Sequence, residues 1–302
     1  MSNKSDALNK EKLTGYKAAL FTERLFSYIV LSVFALISLF FFYILLMFAT
    51  RSHTEIIQGL KYAFTPGSLA NLKKNFVGAT TNGNYPPILP AMVNSLIIAL
   101  SSATLTVYFS SLTAYALHAY NFKLKNAATV FIIGILMIPN QVTTAGFVKI
   151  VRDLGLTKGY LPYIPLILPA IAAPAVFFFM RQYMQANLSL EIVEAARVDG
   201  SGELATFNKI VLPIMVPAIA VQAIFSVVAN WNNFFMPALI IRDREATTVP
   251  IVIAMARAQT VSALDQGQIN MLTTLAVIPV LIIFLIFSRY IIGGISDGAV
   301  KG

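Results

Sequence analysis

Glu194-Ala195-Ala196-Arg197-Val198-Asp199-Gly200, followed after nine residues by Ile210-Val211-Leu212-Pro213, is a polar segment lodged between two long apolar runs. From Leu190 onward, Ile192, Ala195 and Ala196 recur at the i, i+3, i+4 spacing of one helical face, while Glu191 and Glu194 stand a turn apart on another. The pattern predicts a short amphipathic helix that needs packing to be stable. Two alanines leave little side chain between its backbone and a partner, so the face of Ile192, Ala195 and Ala196 suits a narrow cleft. Gly200 supplies the positive φ that a tight turn after a helix requires. Asp199 or Ser201 is placed to cap a second short helix through Asn208, and Leu212-Pro213 restarts the chain, proline being accepted in the first turn of a helix.

The chain around this segment is membrane scaffold. Of 302 residues, 57% are hydrophobic and only 12% are charged. With a mean hydropathy of +0.74, that composition is too apolar for a soluble domain of this size and defines an integral membrane protein. The net charge of +9 is spread singly through loops and tails, with no basic cluster denser than Lys73-Lys74, so it points to membrane-facing loops and anionic lipid rather than to nucleic acid. The absence of cysteine excludes disulfides, thiolate metal sites and cysteine nucleophiles. No short early apolar segment ends in a small-residue cleavage site, so no removed signal peptide is expected.

Residues 1–25 read as a polar tail, able to form a frayed or interfacial helix, and Phe26 to Thr50 as a first span, longer than the ~20 residues needed to cross the hydrocarbon core. Pro66-Gly67, Asn82-Gly83-Asn84 and Pro86-Pro87 mark 51–88 as a loop. A second span, about Pro90 to Leu117, is rich in Ser, Thr and Ala, which lets other helices approach closely. The third, about Ala127 to Phe147, is interrupted at Ile138-Pro139-Asn140-Gln141. The fourth, about Pro162 to Tyr183, holds Pro165, Pro169 and Pro174, so kinks are expected whose freed carbonyls are satisfied within the bundle. A fifth runs from Pro213 to about Ile241 and a sixth from about Met271 to Phe287. The expected fold is thus all-α: a six-span membrane domain over 26–290, the polar loop 189–212 between the fourth and fifth spans, and a tail over 291–302. Both termini and the polar loop then share one side, although Lys and Arg divide almost evenly between the two sides.

The segment resembles the E-A-A-x-x-x-G-x9-I-x-L-P loop of the transmembrane subunits of bacterial ABC importers, and every fixed position of that pattern is matched. The resemblance implies that Glu191, Glu194, Ala195, Ala196, Asp199, Gly200, Ile210, Leu212 and Pro213 belong to a coupling helix and turn that dock on a cytoplasmic ATPase subunit. Phe177-Phe178-Phe179-Met180-Arg181-Gln182, Trp231-Asn232-Asn233-Phe234 and Gly298-Ala299-Val300-Lys301-Gly302 are similar to the carbohydrate-uptake subfamily, most of all to the second permease of its heterodimeric pair. One departure is Ser189, where the family commonly has proline; serine can instead cap the helix. The resemblance further implies a second permease subunit, two ATPase subunits that bind ATP and Mg, and an extracytoplasmic sugar-binding protein. It also places the chain in the bacterial cytoplasmic (inner) membrane, with no cofactor or catalytic site of its own and with residues 298–302 bracing the ATPases.

With Arg181 counted to the connection that follows the fourth span, no Asp, Glu, Lys or Arg falls within the spans. Ion-coupled carriers usually place such groups at membrane depth, so this rival class is disfavoured, although backbone carbonyls alone can bind sodium. A second rival is a channel or structural membrane protein that uses the loop for a partner other than an ATPase. His53 and His118 have no carboxylate or thiol cluster beside them in sequence and read as loop and interfacial residues, with no metal site. Candidates for a sugar pathway are Asn140, Gln141, Asn230, Trp231, Asn232 and Asn233, because amides pair with hydroxyls and aromatics stack on sugar rings. The competing role for the same residues is hydrogen bonding between helices, with Trp231 in an interfacial belt.

Overall fold

Between Arg24 and Arg51 no charge interrupts the apolar run, and in the computed structural model it forms the later part of one long helix, α1 (Ser2–Ala49). The structure describes residues 2–59, 64–81, 83–259 and 265–299, with side chains over 21–59, 64–81, 83–139, 141–259 and 265–288. The expected tail is therefore the first half of α1 rather than a separate segment; nothing between Ser2 and Arg24 breaks a helix except Gly15. From Phe21 to Tyr43 its side chains are exposed apart from half-buried Val30, as befits a helix whose neighbours are lipid or other chains.

The chain divides into two units, Met1–Asn75 with Asp265–Met271 and Phe76–Leu264 with Leu272–Gly302. In the first, the connection after α1 is more ordered than its turn-rich sequence suggests. Ser52 and Glu55 form a capping box at the start of α2 (His53–Ile57). Arg51, only 6% exposed, pairs with Glu55 at 3.1 Å and donates to the Thr65 carbonyl at 2.6 Å. From α3 (Leu69–Thr81), Asn75 donates its amide to the Ala49 and Arg51 carbonyls at 2.9 and 2.8 Å, closing the end of α1. A Cβ on Gly267 would collide with the Arg51 carbonyl and the Asn75 amide, so glycine is required there for close approach. Gly267→Ala is therefore expected to destabilise by about 1–3 kcal/mol, read as a lower thermal midpoint in detergent; an unchanged midpoint would contradict the tight packing.

The second unit is organised around α4 (Ile88–Ala119), whose small and hydroxyl residues Ser102, Ala103, Thr106, Ser110, Ser111 and Ala114 are buried as expected. The third apolar run is two helices, α5 (Lys125–Gly134) with a 3-10 turn at Ile135–Met137, and α6 (Asn140–Asp153) beyond the Pro139 break. The fourth begins as α7 (Tyr163–Ile167), tightens into a 3-10 turn at Leu168–Ile171, and resumes as α8 (Pro174–Asn187). Its break at Ala172-Ala173 is favoured by Pro174, since a proline disfavours the helical region for the residue before it, and Ala173 is held at φ −116°, ψ 82°. The Ala170 carbonyl, left without the N–H that Pro174 lacks, is met from α4 by Thr106 Oγ1 at 3.1 Å, and Ser110 Oγ adds a 3.5 Å contact to the Ala173 oxygen, which also accepts the Phe177 N–H.

The polar loop folds as α9 (Leu190–Val198), α10 (Glu203–Thr206), a wide turn over Phe207–Val211 and α11 (Leu212–Ile214). The fifth run, expected as one span over 213–241, is corrected. It consists of α12 (Val216–Trp231) and α13 (Phe235–Ile240), and α12 meets the preceding Glu203–Ile214 segment at 82°. Pro217 has no N–H for the Pro213 carbonyl and its ring crowds that carbonyl, so the helix turns at Met215. After α14 (Val249–Arg257) comes α15 (Gln266–Ala299), opened by Asp265, whose Oδ1 accepts from the Gly267 backbone at 2.9 Å. α15 absorbs the first nine residues of the tail expected over 291–302 and contains Pro279; Val300 to Gly302 lie outside the described residues. Among the described residues four helices are long and apolar enough to cross a membrane, and up to six crossings result if each of two bent pairs counts as one.

Candidate functional site

Ser189 holds an extended backbone and its Oγ accepts the Glu191 N–H at 3.2 Å, so serine caps α9 in the place where a proline was the alternative. On the inner side of α9, Val193 is 1% and Ala196 6% exposed. Val193 packs in a core with Leu188, Met180 and Met184 of α8, Tyr115 of α4, and Phe207. The expected face of Ile192, Ala195 and Ala196 is thus corrected: Ala196 turns inward with Val193, while Ile192 and Ala195 are exposed beside Glu191 and Glu194. Val193 and Ala196, three residues apart, form the buried stripe, whereas the equally spaced Ile192 and Ala195 do not. Val198, 88% exposed, extends the outer face.

The turn after α9 closes as a Schellman motif. The Ser201 N–H reaches back to the Ala196 carbonyl at 2.9 Å and that of Gly200 to Arg197 at 3.0 Å, with Gly200 at φ +79°. No heavy atom lies within 4 Å of where a Gly200 Cβ would stand, so the dihedral alone demands glycine. Neither Asp199 nor Ser201 caps α10; Gly202 occupies that position, and Ser201 Oγ instead accepts from Thr206 Oγ1 at 2.9 Å. Asn208 lies past α10 in the wide turn, where its amide donates to the Leu204 carbonyl at 2.7 Å. The Leu212 N–H bonds to Phe207, five residues back, and Pro213 takes the early helical position expected of it. Ile210 and Leu212 are half-buried, and Leu212 lies against the core.

The sequence reading did not single out the polar cluster that ties this loop to α4. Arg197 Nε donates to Glu203 Oε1 at 2.9 Å and Nη2 to Oε2 at 3.4 Å. Tyr115 donates its hydroxyl to the same Oε2 at 3.1 Å, and the Arg197 guanidinium lies 5.1 Å from the centre of the Tyr120 ring. Hydrogen bonding to Glu203 makes Arg197 hold its proton more tightly than usual. Burial first, and the neighbouring Glu203 second, push the Tyr120 phenol up. Opposite charges six residues apart across a glycine turn follow no helical or strand period, so only the signs of the charges hinted at the pair. His118 Nε2 lies 3.2 Å from the Leu188 carbonyl just before α9, and His53 Nδ1 accepts the Gln266 N–H at 3.2 Å.

The sugar-pathway candidates separate. Gln141 of α6 and Asn233 line one cavity of about 410 Å³ with Thr143, Thr144, Phe147 and Phe235. Asn230 and Asn232 bond back to their own helix, at the Ser226 and Val228 carbonyls, at 2.8 and 2.9 Å. Trp231 is 3% exposed and buried in the chain rather than set in an outer belt. Asn140 begins α6, and its side chain lies outside the described set. Arg181 lies inside α8, half-buried, so the fourth span is not free of charge as counted; it stands two turns from the helix end.

A helical multi-pass membrane protein with a polar, core-anchored helical loop and a mixed amide, hydroxyl and aromatic cavity is built for transport rather than for surface chemistry. The chain belongs to the family described as binding-protein-dependent transport system inner membrane component, whose sequence model matches residues 107–301. Members of that family are transport permease subunits and not enzymes, and this is accordingly a multi-pass protein of the inner membrane. The chain is 33% identical to the arabinooligosaccharides transport system permease protein AraQ of Halalkalibacterium halodurans, over 85% of this chain and 89% of that one. It is 32% identical to the trehalose/maltose transport system permease protein MalG of Thermococcus litoralis, over 69% and 74%. In fold it matches a bacterial ABC transporter involved in import of the acidic polysaccharide alginate, with a TM-score of 0.73 and 17% identity over 88% of this chain and 95% of that one.

Proposed function

We propose that this chain is the second permease subunit of a heterodimeric ABC importer for a sugar or oligosaccharide, with six membrane crossings, each bent pair making one. The observation that carries the proposal is α9: capped by Ser189, closed by Gly200 and keyed to the core by Val193 and Ala196, it presents Glu191, Glu194 and Ala195 outward as one rigid surface. Such a surface suits a groove on a cytoplasmic ATPase subunit. Two ATPase subunits would hold the ATP and Mg, and this chain would contribute no catalytic site or cofactor. An extracytoplasmic sugar-binding protein would deliver the substrate, and a second permease and lipid would cover the exposed flank of α1. The names of the relatives support a carbohydrate cargo. Gln141 and Asn233, converging on one cavity with two threonines and two phenylalanines, offer the mixture of amide, hydroxyl and ring face that a sugar requires.

The test is uptake by the full complex in proteoliposomes. Uptake is expected to require ATP and to survive collapse of proton and sodium gradients, because among the described residues the charges within the four long spans, Glu23, Arg24 and Arg181, all stand within two turns of a span end. Uptake driven by an ion gradient without nucleotide would refute the proposal.

A further inference from the structure

We infer that Arg197 and Glu203 are positioning residues that connect α9 directly to α4, so that movement of the docking helix reaches the centre of the second unit without passing through the chain ends of the loop. The inference rests on the coupling reading of α9 given above. Between Val198 and Glu203 the chain passes through Gly200 and Gly202, a turn in which little besides the Schellman bonds and one hydroxyl contact sets the direction of the next helix. The Glu203 carboxylate spans that turn. On one side it takes both prongs of the Arg197 guanidinium, which sits in the last turn of α9. On the other it takes the hydroxyl of Tyr115, one turn before the end of α4.

Each end of this bridge is rigid. Tyr115 is buried, its ring 5.6 Å from that of Phe207 and 6.3 Å from that of Tyr120, and Tyr120 in turn lies against the guanidinium. α4 carries Thr106 and Ser110, which bond the Ala170 and Ala173 carbonyls at the break of the fourth span, so a force delivered to Tyr115 arrives at the helix that also holds that kink. The pair itself is part-exposed, Arg197 at 34% and Glu203 at 43%, and an ion pair in that setting contributes little to folding. What it contributes is geometry: a planar fork on a carboxylate fixes orientation as well as distance. Among the described residues no other charged pair joins α9 to the rest of the second unit.

The experiment uses the full complex with its ATPases, partner permease and binding protein, in proteoliposomes. Arg197→Gln, Glu203→Gln and the double variant are compared with Tyr115→Phe, which keeps the buried ring and removes only the hydroxyl. Membrane abundance, ATPase retention on purification, and uptake per ATP hydrolysed are measured. Abundance and ATPase retention should stay normal, because the outer face of α9 is untouched. Uptake per ATP should fall about tenfold in each single variant, and no further in the double, since the two side chains act as one unit. Tyr115→Phe should fall by about twofold to fivefold. Unchanged uptake per ATP in Glu203→Gln, an additive loss in the double, or a loss of uptake that only tracks lost abundance would each overturn the inference. A wild-type complex without ATP-driven uptake would overturn the coupling reading, and this inference with it.

Discussion

Gly200→Val is expected to leave the protein inserted in the membrane and to separate it from its ATPase. Insertion depends on the apolar length of the long helices, none of which includes this turn. Gly200 sits at φ +79°, where a β-branched residue is a steric outlier. The space around it is open, so the cost is conformational: strain of about 1–3 kcal/mol, relieved by re-aiming the segments on either side. α9, with nine residues, cannot absorb that change by bending. Its outer face would meet the ATPase groove at the wrong angle, and ATPase retention, ATP hydrolysis and uptake should fall together. Gly200→Ala should show the same effects more weakly. Joint loss distinguishes this turn from the Arg197–Glu203 bridge, where hydrolysis continues and uptake per ATP falls. Full transport by Gly200→Val would show that the turn does not position α9.

Glu194→Ala is expected to weaken ATPase coupling more than Glu191→Ala. Both carboxylates are exposed on the outer face of α9, and among the described residues no ion pair within the chain engages either. Glu191 sits in the first turn of the helix, where a carboxylate already interacts favourably with the helix dipole. Glu194 stands mid-helix beside Ala195 and has a partner only if the docking groove supplies a cation. Removing one side of such a partly desolvated pair typically costs about 2–5 kcal/mol, which should appear as ATPase dissociation during purification and reduced stimulation of hydrolysis. Equal stimulation in the two variants would count against an ion pair at Glu194.

Much of this architecture is legible in the residues. The apolar runs between Arg24 and Arg51 and around Ser102 become long helices, Gly200 takes the positive φ its position after an amphipathic run implies, and Ser189 caps. What escaped was phase and direction. Periodicity places Ile192, Ala195 and Ala196 on one face, but in a chain this apolar it does not say which edge of the stripe faces the core. Val193 decides that through tertiary packing. Hydropathy reads 213–241 as one span because it sums side chains and ignores the backbone; Pro213 and Pro217, one turn apart, were the visible signal of the bend at Met215. The loop over 51–88 hid a capping box at Ser52 and Glu55, which required reading polar residues as local backbone partners. The Glu203 bridge had no periodic signature, since its partners come from α9 and, 88 residues away, from α4.

Because the chain has no cysteine, Ala195→Cys introduces a unique reporter on the outer face of α9. In native membranes containing the whole complex, a short bifunctional reagent reactive towards thiols and amines should join this position to the ATPase subunit. The yield should change between the nucleotide-free and ATP-bound states. A membrane-impermeant thiol reagent applied to the external face of intact cells should not label it. External labelling, or an adduct to any protein other than the ATPase with none to the ATPase itself, would contradict the claim that α9 is the helix through which this permease is driven.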